Sequence, residues 1–210
     1  VTVGSQPVLG NLDMSVCSAL PTGLIMAVAP TSSPATTYDI QTITVQAGLV
    51  AAAGNAVAAN GIADPNYLAN DRFVNETGTD RTVTYRVRPV FGTTCIGDWV
   101  DVIVTVRPQP VIQPNQLKTV CSNVAVNREI LLVPLNTPAG TTFSWPLPVM
   151  SAGLPQGTAR SNVAADPAGT LHITDVLVNH GLTPITATYS VTPTSSFMCA
   201  GNPVNVVITV

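Results

Sequence analysis

A chain that writes the same residue frame twice at a fixed distance folds the same unit twice, and here that distance is 104 residues. TYRVRPVFGTTCIG at 84–97 and TYSVTPTSSFMCAG at 188–201 agree at six of fourteen positions, namely Thr, Tyr, Val, Pro, Cys and Gly. The same offset relates Cys17 to Cys121 and Cys95 to Cys199, so each copy separates its cysteines by 78 residues. It also lays Val16-Cys17-Ser18 on Val120-Cys121-Ser122, Asp71 to Asn75 on Asp175 to Asn179, and Val104-Thr105-Val106 on Ile208-Thr209-Val210. With a one-residue gap, Thr36-Thr37-Tyr38 matches Thr141-Thr142-Phe143. Thr2 to Val8 resembles Thr105 to Val111, so the chain reads as opening in the last strand of an earlier copy and closing on that strand at Val210. The expectation is a stretch cut in register from a longer tandem array, with units 1–107 and 108–210, each near the usual size of a domain.

Inside each unit the apolar period is two. Val100, Val102, Val104 and Val106 fall on one face of a run and Asp101, Ile103 and Thr105 on the other, as a half-buried strand requires. Tyr85 and Val87 share an inward face with Arg86 and Arg88 outward, and the second copy keeps Tyr189 and Val191 while changing the outward pair to Ser190 and Thr192. A constraint that keeps the inward pair and releases the outward one is a core constraint. Short β-branched runs between Gly, Pro, Asn and Ser turns predict an all-β chain: two tandem β-sandwich domains of immunoglobulin-like size in an extended, monomeric arrangement. Ala47 to Ala59 fits a short helical turn or a loop equally well. Arg107-Pro108-Gln109-Pro110 reads as a short Pro-rich linker that limits bending.

Composition removes several function classes. Only 9% of residues are charged and the net charge is −3 with no basic cluster, so the attraction that supplies most nucleic-acid affinity is missing. The uncharged run 40–63 is interrupted by Gln41, Thr42, Thr44, Gln46, Asn55 and Asn60, and the run 130–159 by five prolines, so no membrane insertion is expected. VTVGSQPV lacks the basic and apolar regions of a signal peptide, so any targeting signal is expected to lie outside this chain.

Four cysteines allow three pairings. A unit that folds on its own favours the internal ones, Cys17 with Cys95 and Cys121 with Cys199, each worth up to ~4.5 kcal/mol on the chain-entropy model. Four buried free thiols in a reducing compartment are the competing account, and zinc is disfavoured because no CxxC spacing occurs. Catalysis has no motif behind it. His172 and His180 have no counterparts in the first unit, Glu76 and Glu129 are the only glutamates and lie in different units, and no nucleophile elbow, HExxH or P-loop is present. Lys118 is the only lysine, which excludes an isopeptide crosslink in the first unit. Two alternatives remain for ligand binding. Asp71 and Asp175, with Asn75, Asn179 and the Asp64-Pro65 and Asp166-Pro167 pairs, carry the oxygens of a calcium site, although Asp and Asn serve equally as turn formers. A carbohydrate site needs stacking aromatics, and the repeated ones lie in core-like patterns.

The frame TYSVTP, a variable loop, CxG and PVNVVITV, preceded by ITDVLVN at 173–179 and VCS at 120–122, resembles the PKD-like repeats of giant surface adhesins of Bacteroidetes, including the SprB-type gliding adhesins. The resemblance covers both units nearly end to end. It implies secretion through the type IX system, extracellular display on the cell surface, and stalk or spacer repeats serving adhesion and gliding motility, with neighbouring repeats as partners and surface polysaccharide bound through other regions. No cofactor is implied, calcium being the alternative. The WDFGDG-type signature of polycystin-style PKD domains is absent, and Trp99 and Trp145 occupy non-equivalent places, unlike the packed Trp of antibody domains.

Overall fold

Every regular element in the described residues is a strand, because alternating β-branched residues and closely spaced Gly, Pro and Asn leave no run long enough for a helix. The structure is a computed structural model that describes residues 5–134, 136–153, 156–164 and 171–210. Thr2 to Gly4, Pro155 and the Asp166-Pro167 pair lie outside these residues. The chain divides into two compact units, Val1–Pro108 and Gln109–Val210.

The first unit contains β1 (Met14–Cys17), β2 (Thr37–Val45), β3 (Leu49–Ala51), β4 (Ala59–Ile62), β5 (Phe73–Asn75), β6 (Arg81–Phe91), β7 (Cys95–Ile96) and β8 (Val100–Arg107). Its main sheet runs β1-β8-β6-β2-β4, with β7 paired to the end of β6, and β3 pairs with β5 separately. The second unit contains β9 (Gln116–Thr119), β10 (Val124–Ala125), β11 (Arg128–Ile130), β12 (Thr142–Trp145), β13 (Val149–Met150), β14 (Arg160–Ala164), β15 (Leu171–Ile173), β16 (Val176–Leu177), β17 (Thr186–Thr194) and β18 (Val204–Thr209). Its main sheet runs β14-β12-β17-β18-β9, with β13 also on β17, and the pairs β10-β16 and β11-β15 stand apart. In both units the first strand lies parallel to the last, and the registers coincide under the repeat: Met14 faces Val104 where Lys118 faces Ile208, and Tyr85 faces Val102 where Tyr189 faces Val206.

The period-two pattern decides which face is buried. Val83, Tyr85 and Val87 on β6 and Val102, Val104 and Val106 on β8 turn inward against Leu24, Met26, Leu68 and Phe73, which come from loops and β5. Ala187, Tyr189, Val191, Val206 and Ile208 do the same against Val126, Ile130, Ile173 and Leu177. Burying each such large side chain stabilises the fold by about 1.5–3 kcal/mol. Val100, expected on the inward face, is exposed where it opens β8. Ala47 to Ala59 is neither a helical turn nor a plain loop. Leu49–Ala51 forms β3 against Phe73–Asn75, and the turns that flank it use Gly48 and Gly54 at positive φ of 93° and 85°.

Candidate functional site

The repeated polar residues converge on the same places in both units. Asp71, adjoining β5, is 2% exposed. It accepts the Tyr85 hydroxyl on Oδ2 at 2.8 Å and the Ala56 backbone N–H on Oδ1 at 2.6 Å. Asp175 repeats the arrangement with the Tyr189 hydroxyl at 3.0 Å and the Thr158 backbone N–H at 2.9 Å, both on Oδ2. Burial pushes the Asp71 carboxyl above its ordinary value, and the two hydrogen bonds pull only part of the way back. The phenols of Tyr85 and Tyr189 are pushed well above theirs, first by burial and then by the charge and hydrogen bond of the neighbouring carboxylate. A sandwich interior would otherwise leave a tyrosine hydroxyl without an acceptor, and the aspartate supplies one.

Four residues along, the asparagines close each unit. Asn75 donates its side-chain amide to the carbonyls of Thr79 at 2.9 Å and Val106 at 2.8 Å, and its amide oxygen accepts the Thr77 N–H at 3.0 Å. Its backbone N–H donates to Ser18 Oγ at 2.9 Å. Asn179 donates to the carbonyls of Thr183 and Val210 at 2.8 and 3.0 Å, accepts the Gly181 N–H at 2.8 Å, and gives its own N–H to Ser122 Oγ at 2.9 Å. Asp71, Asp175, Asn75 and Asn179, weighed as a calcium site, thus serve as acceptors and donors to their own unit. Among the described residues no three His, Cys, Asp or Glu side chains are grouped to hold a metal.

The opening frame acquires a physical reason at each position but one. Tyr85, Val87, Tyr189 and Val191 are fully buried. Gly97 and Gly201 are glycine because a Cβ there would drive into the backbone carbonyl of Pro7 or of Pro110, and into the rings of Pro89 or Pro193. Their N–H groups donate to the Pro89 and Pro193 carbonyls at 2.9 and 2.8 Å, fixing the hairpin against the incoming chain. Thr84 and Thr188 take ladder positions opposite Ile103 and Val207.

The cysteines are the exception, and the expected pairings are not made. Cys17 and Cys199 are disulfide-bonded, whereas Cys95 and Cys121 are free thiols. The reason is geometric. Cys17 lies opposite Arg107, at the tail end where the chain leaves the unit, and Cys95 lies opposite Phe91, at the head end beside the incoming Pro7 and Gly97. β6 runs the whole way between, from Arg81 opposite Val106 to Phe91, roughly 30 Å at ~3.3 Å per residue. A disulfide spans Cα atoms no more than about 7 Å apart. In the second unit Cys121 follows Val120, bonded to Thr209 at the tail, and Cys199 sits beyond the far end of β17, with its carbonyl accepting the Ser195 N–H. Sequence spacing alone carries no sign of which end of a strand a residue occupies.

Sequence reasoning also missed a surface cluster. Asp39 is 7% exposed and accepts Arg88 Nε and Nη2 on Oδ2, both at 2.9 Å, while Oδ1 accepts the Gly61 N–H at 2.8 Å. The Arg88 guanidinium lies 4.3 Å from the centre of the Trp99 ring. Arg88, read as simply outward, is therefore held in place, and the Trp99 face it covers is closed to a sugar. The cross-strand register Asp39 to Arg88 becomes Ser144 to Thr192 in the second unit, so the charges have no counterpart there. His172 and His180 are exposed; His180 borders a cavity of about 540 Å³ and His172 one of about 240 Å³ beside Trp145. No helix among the described residues is long and apolar enough to cross a membrane.

The profile of the PKD-like domain matches residues 50–110 and again 118–210, more than half of the chain. The chain belongs to the PKD-like domain family. The duplicated Asp–Tyr and Asn–Ser bonds are thus internal ties of two PKD-like units in tandem, a family that is typically non-catalytic. No curated protein matches the chain in sequence. Among solved structures, the protocadherin GammaB4 extracellular domain is 11% identical with a TM-score of 0.31, over 97% of this chain and 34% of that one. Chicken CNTN1 FN1-FN3 is 12% identical with a TM-score of 0.35, over 99% of this chain and 66% of that one. The D00-D0 domain of Intimin is 12% identical with a TM-score of 0.29, over 96% and 98%. The PKD-like chain therefore spans about a third of the protocadherin's length and just under two thirds of CNTN1's.

Proposed function

We propose that the two PKD-like units are spacers placed in series, the stalk elements of a large extracellular adhesin. One observation carries this reading. Apart from the cysteines, the residues the units share serve each unit's own packing and hydrogen bonds, while outward positions between them change freely, Arg86 to Ser190 and Arg88 to Thr192. A binding module would keep its outward residues and let its interior drift within the limits of packing. The disulfide-bonded cysteines fit an oxidising, extracellular setting. The resemblance to repeats of Bacteroidetes surface adhesins supports the finer reading: display on the cell surface through type IX secretion, in the service of adhesion and gliding, with the adhesive ligand, such as a surface polysaccharide, bound elsewhere in the protein. A glycan array probed with the whole chain tests it. The spacer reading expects no saturable signal, and saturable binding retained by the chain would replace it with a carbohydrate-binding module.

A further inference from the structure

We propose that Cys121 and Cys95 are the two halves of a disulfide between successive copies of this chain, the tail-end cysteine of one joined to the head-end cysteine of the next. The proposal deepens the serial reading and rests on it. Within a unit the tail and head cysteines are separated by the length of the main sheet, so neither can satisfy the other. Cys121 is the repeat of Cys17 and Cys95 the repeat of Cys199, and those two equivalents are disulfide-bonded. Each kind of position therefore forms a disulfide in this protein, the tail kind at Cys17 and the head kind at Cys199. Cys121 is exposed and Cys95 half-buried, so both thiols can be reached. Cys95 and Cys121 are free thiols that take no part in their units' hydrophobic cores, which places their use outside the unit.

In the bond-forming step the Cys121 thiolate attacks an oxidised small-molecule disulfide, such as oxidised glutathione, and releases one thiol. The Cys95 thiolate then displaces the second. Two protein thiols give up two protons and two electrons, and the small disulfide is reduced to two thiols. Because the two cysteines are of different kinds, the link has a direction and extends a series without branching.

Two copies fused so that Val210 of the first is followed by Gly4 of the second keep the repeat register. Cys95→Ser in the first copy and Cys121→Ser in the second leave one free cysteine of each kind. After incubation in a glutathione redox buffer, a non-reducing peptide map is expected to show the Cys121 peptide of the first copy linked to the Cys95 peptide of the second, with both thiols closed to alkylation. Free, alkylatable Cys121 and Cys95, or links of Cys17 to Cys95 or of Cys121 to Cys199 within a unit, overturn the proposal. Single copies carrying either substitution are expected to stay unlinked alone and to form one dimer when mixed. Dimers from either variant alone would show indiscriminate oxidation and overturn the directional pairing. A glycan-array signal would remove the spacer reading and leave these thiol results standing or falling by themselves.

Discussion

The two units solve the same interior problem with the same residues and treat their surfaces differently. In both, a tyrosine hydroxyl in the core finds an aspartate four residues before an asparagine that ties off the end of the last strand. On the main sheet's outer side, the first unit has Arg88 bonded to Asp39 and lying over Trp99, and the second has Ser144, Thr192 and Pro203 at those places. Duplication has preserved what cannot be hydrated and released what can. A core tyrosine hydroxyl deprived of its acceptor costs more than the loss of an arginine whose guanidinium is part-exposed to water.

That contrast can be broken most forcefully at the aspartates. Asp71→Ala leaves the Tyr85 hydroxyl and the Ala56 N–H without their acceptor in a site closed to water, an expected loss of about 2–4 kcal/mol of stability in urea unfolding. Asp175 is less deeply covered, so Asp175→Ala is expected to cost about half as much. Equal losses would mean that burial does not set the scale.

Alkaline titration comes next. The folded-state values of Tyr85 and Tyr189 are raised above the unfolded value of 10.0, so the stability they contribute is fully present below that pH and is lost as pH climbs past it. Each should withdraw about 1.4 kcal/mol per pH unit above 10, because the unfolded chain releases a proton that the folded one retains. Tyr85→Phe and Tyr189→Phe should each flatten part of that slope, and phenolate absorbance should show the two hydroxyls ionising only on unfolding. The smallest effect is expected on the surface. Arg88→Ala removes a part-exposed guanidinium and leaves Asp39 bonded to the Gly61 N–H, so it should lower the stability of the first unit by about 1 kcal/mol and leave the second unchanged. A larger loss there would place the cluster among the interior features.

How much of this was legible in the sequence follows from the physics of each feature. The tandem units, the all-strand class and the inward Tyr85, Val87, Tyr189 and Val191 follow from a repeat offset and a period of two, both local quantities. The aspartates were noticed because they recur, yet whether a carboxylate faces a cation or a tyrosine depends on what the opposing layer brings to it. Asp39 and Arg88 are 49 residues apart and meet only through the β2–β6 register, which no single stretch of sequence displays. The cysteine pairing failed for a related reason: 78 residues of separation say nothing about the ends of the sheet at which the two residues lie.

The central claim is that Asp71 and Asp175 are spent on the interiors of their own units. Thermal unfolding of the whole chain in millimolar calcium and in excess chelator tests it most directly. The account predicts the same unfolding temperature in both; a rise with calcium that Asp71→Ala or Asp175→Ala abolishes would contradict it.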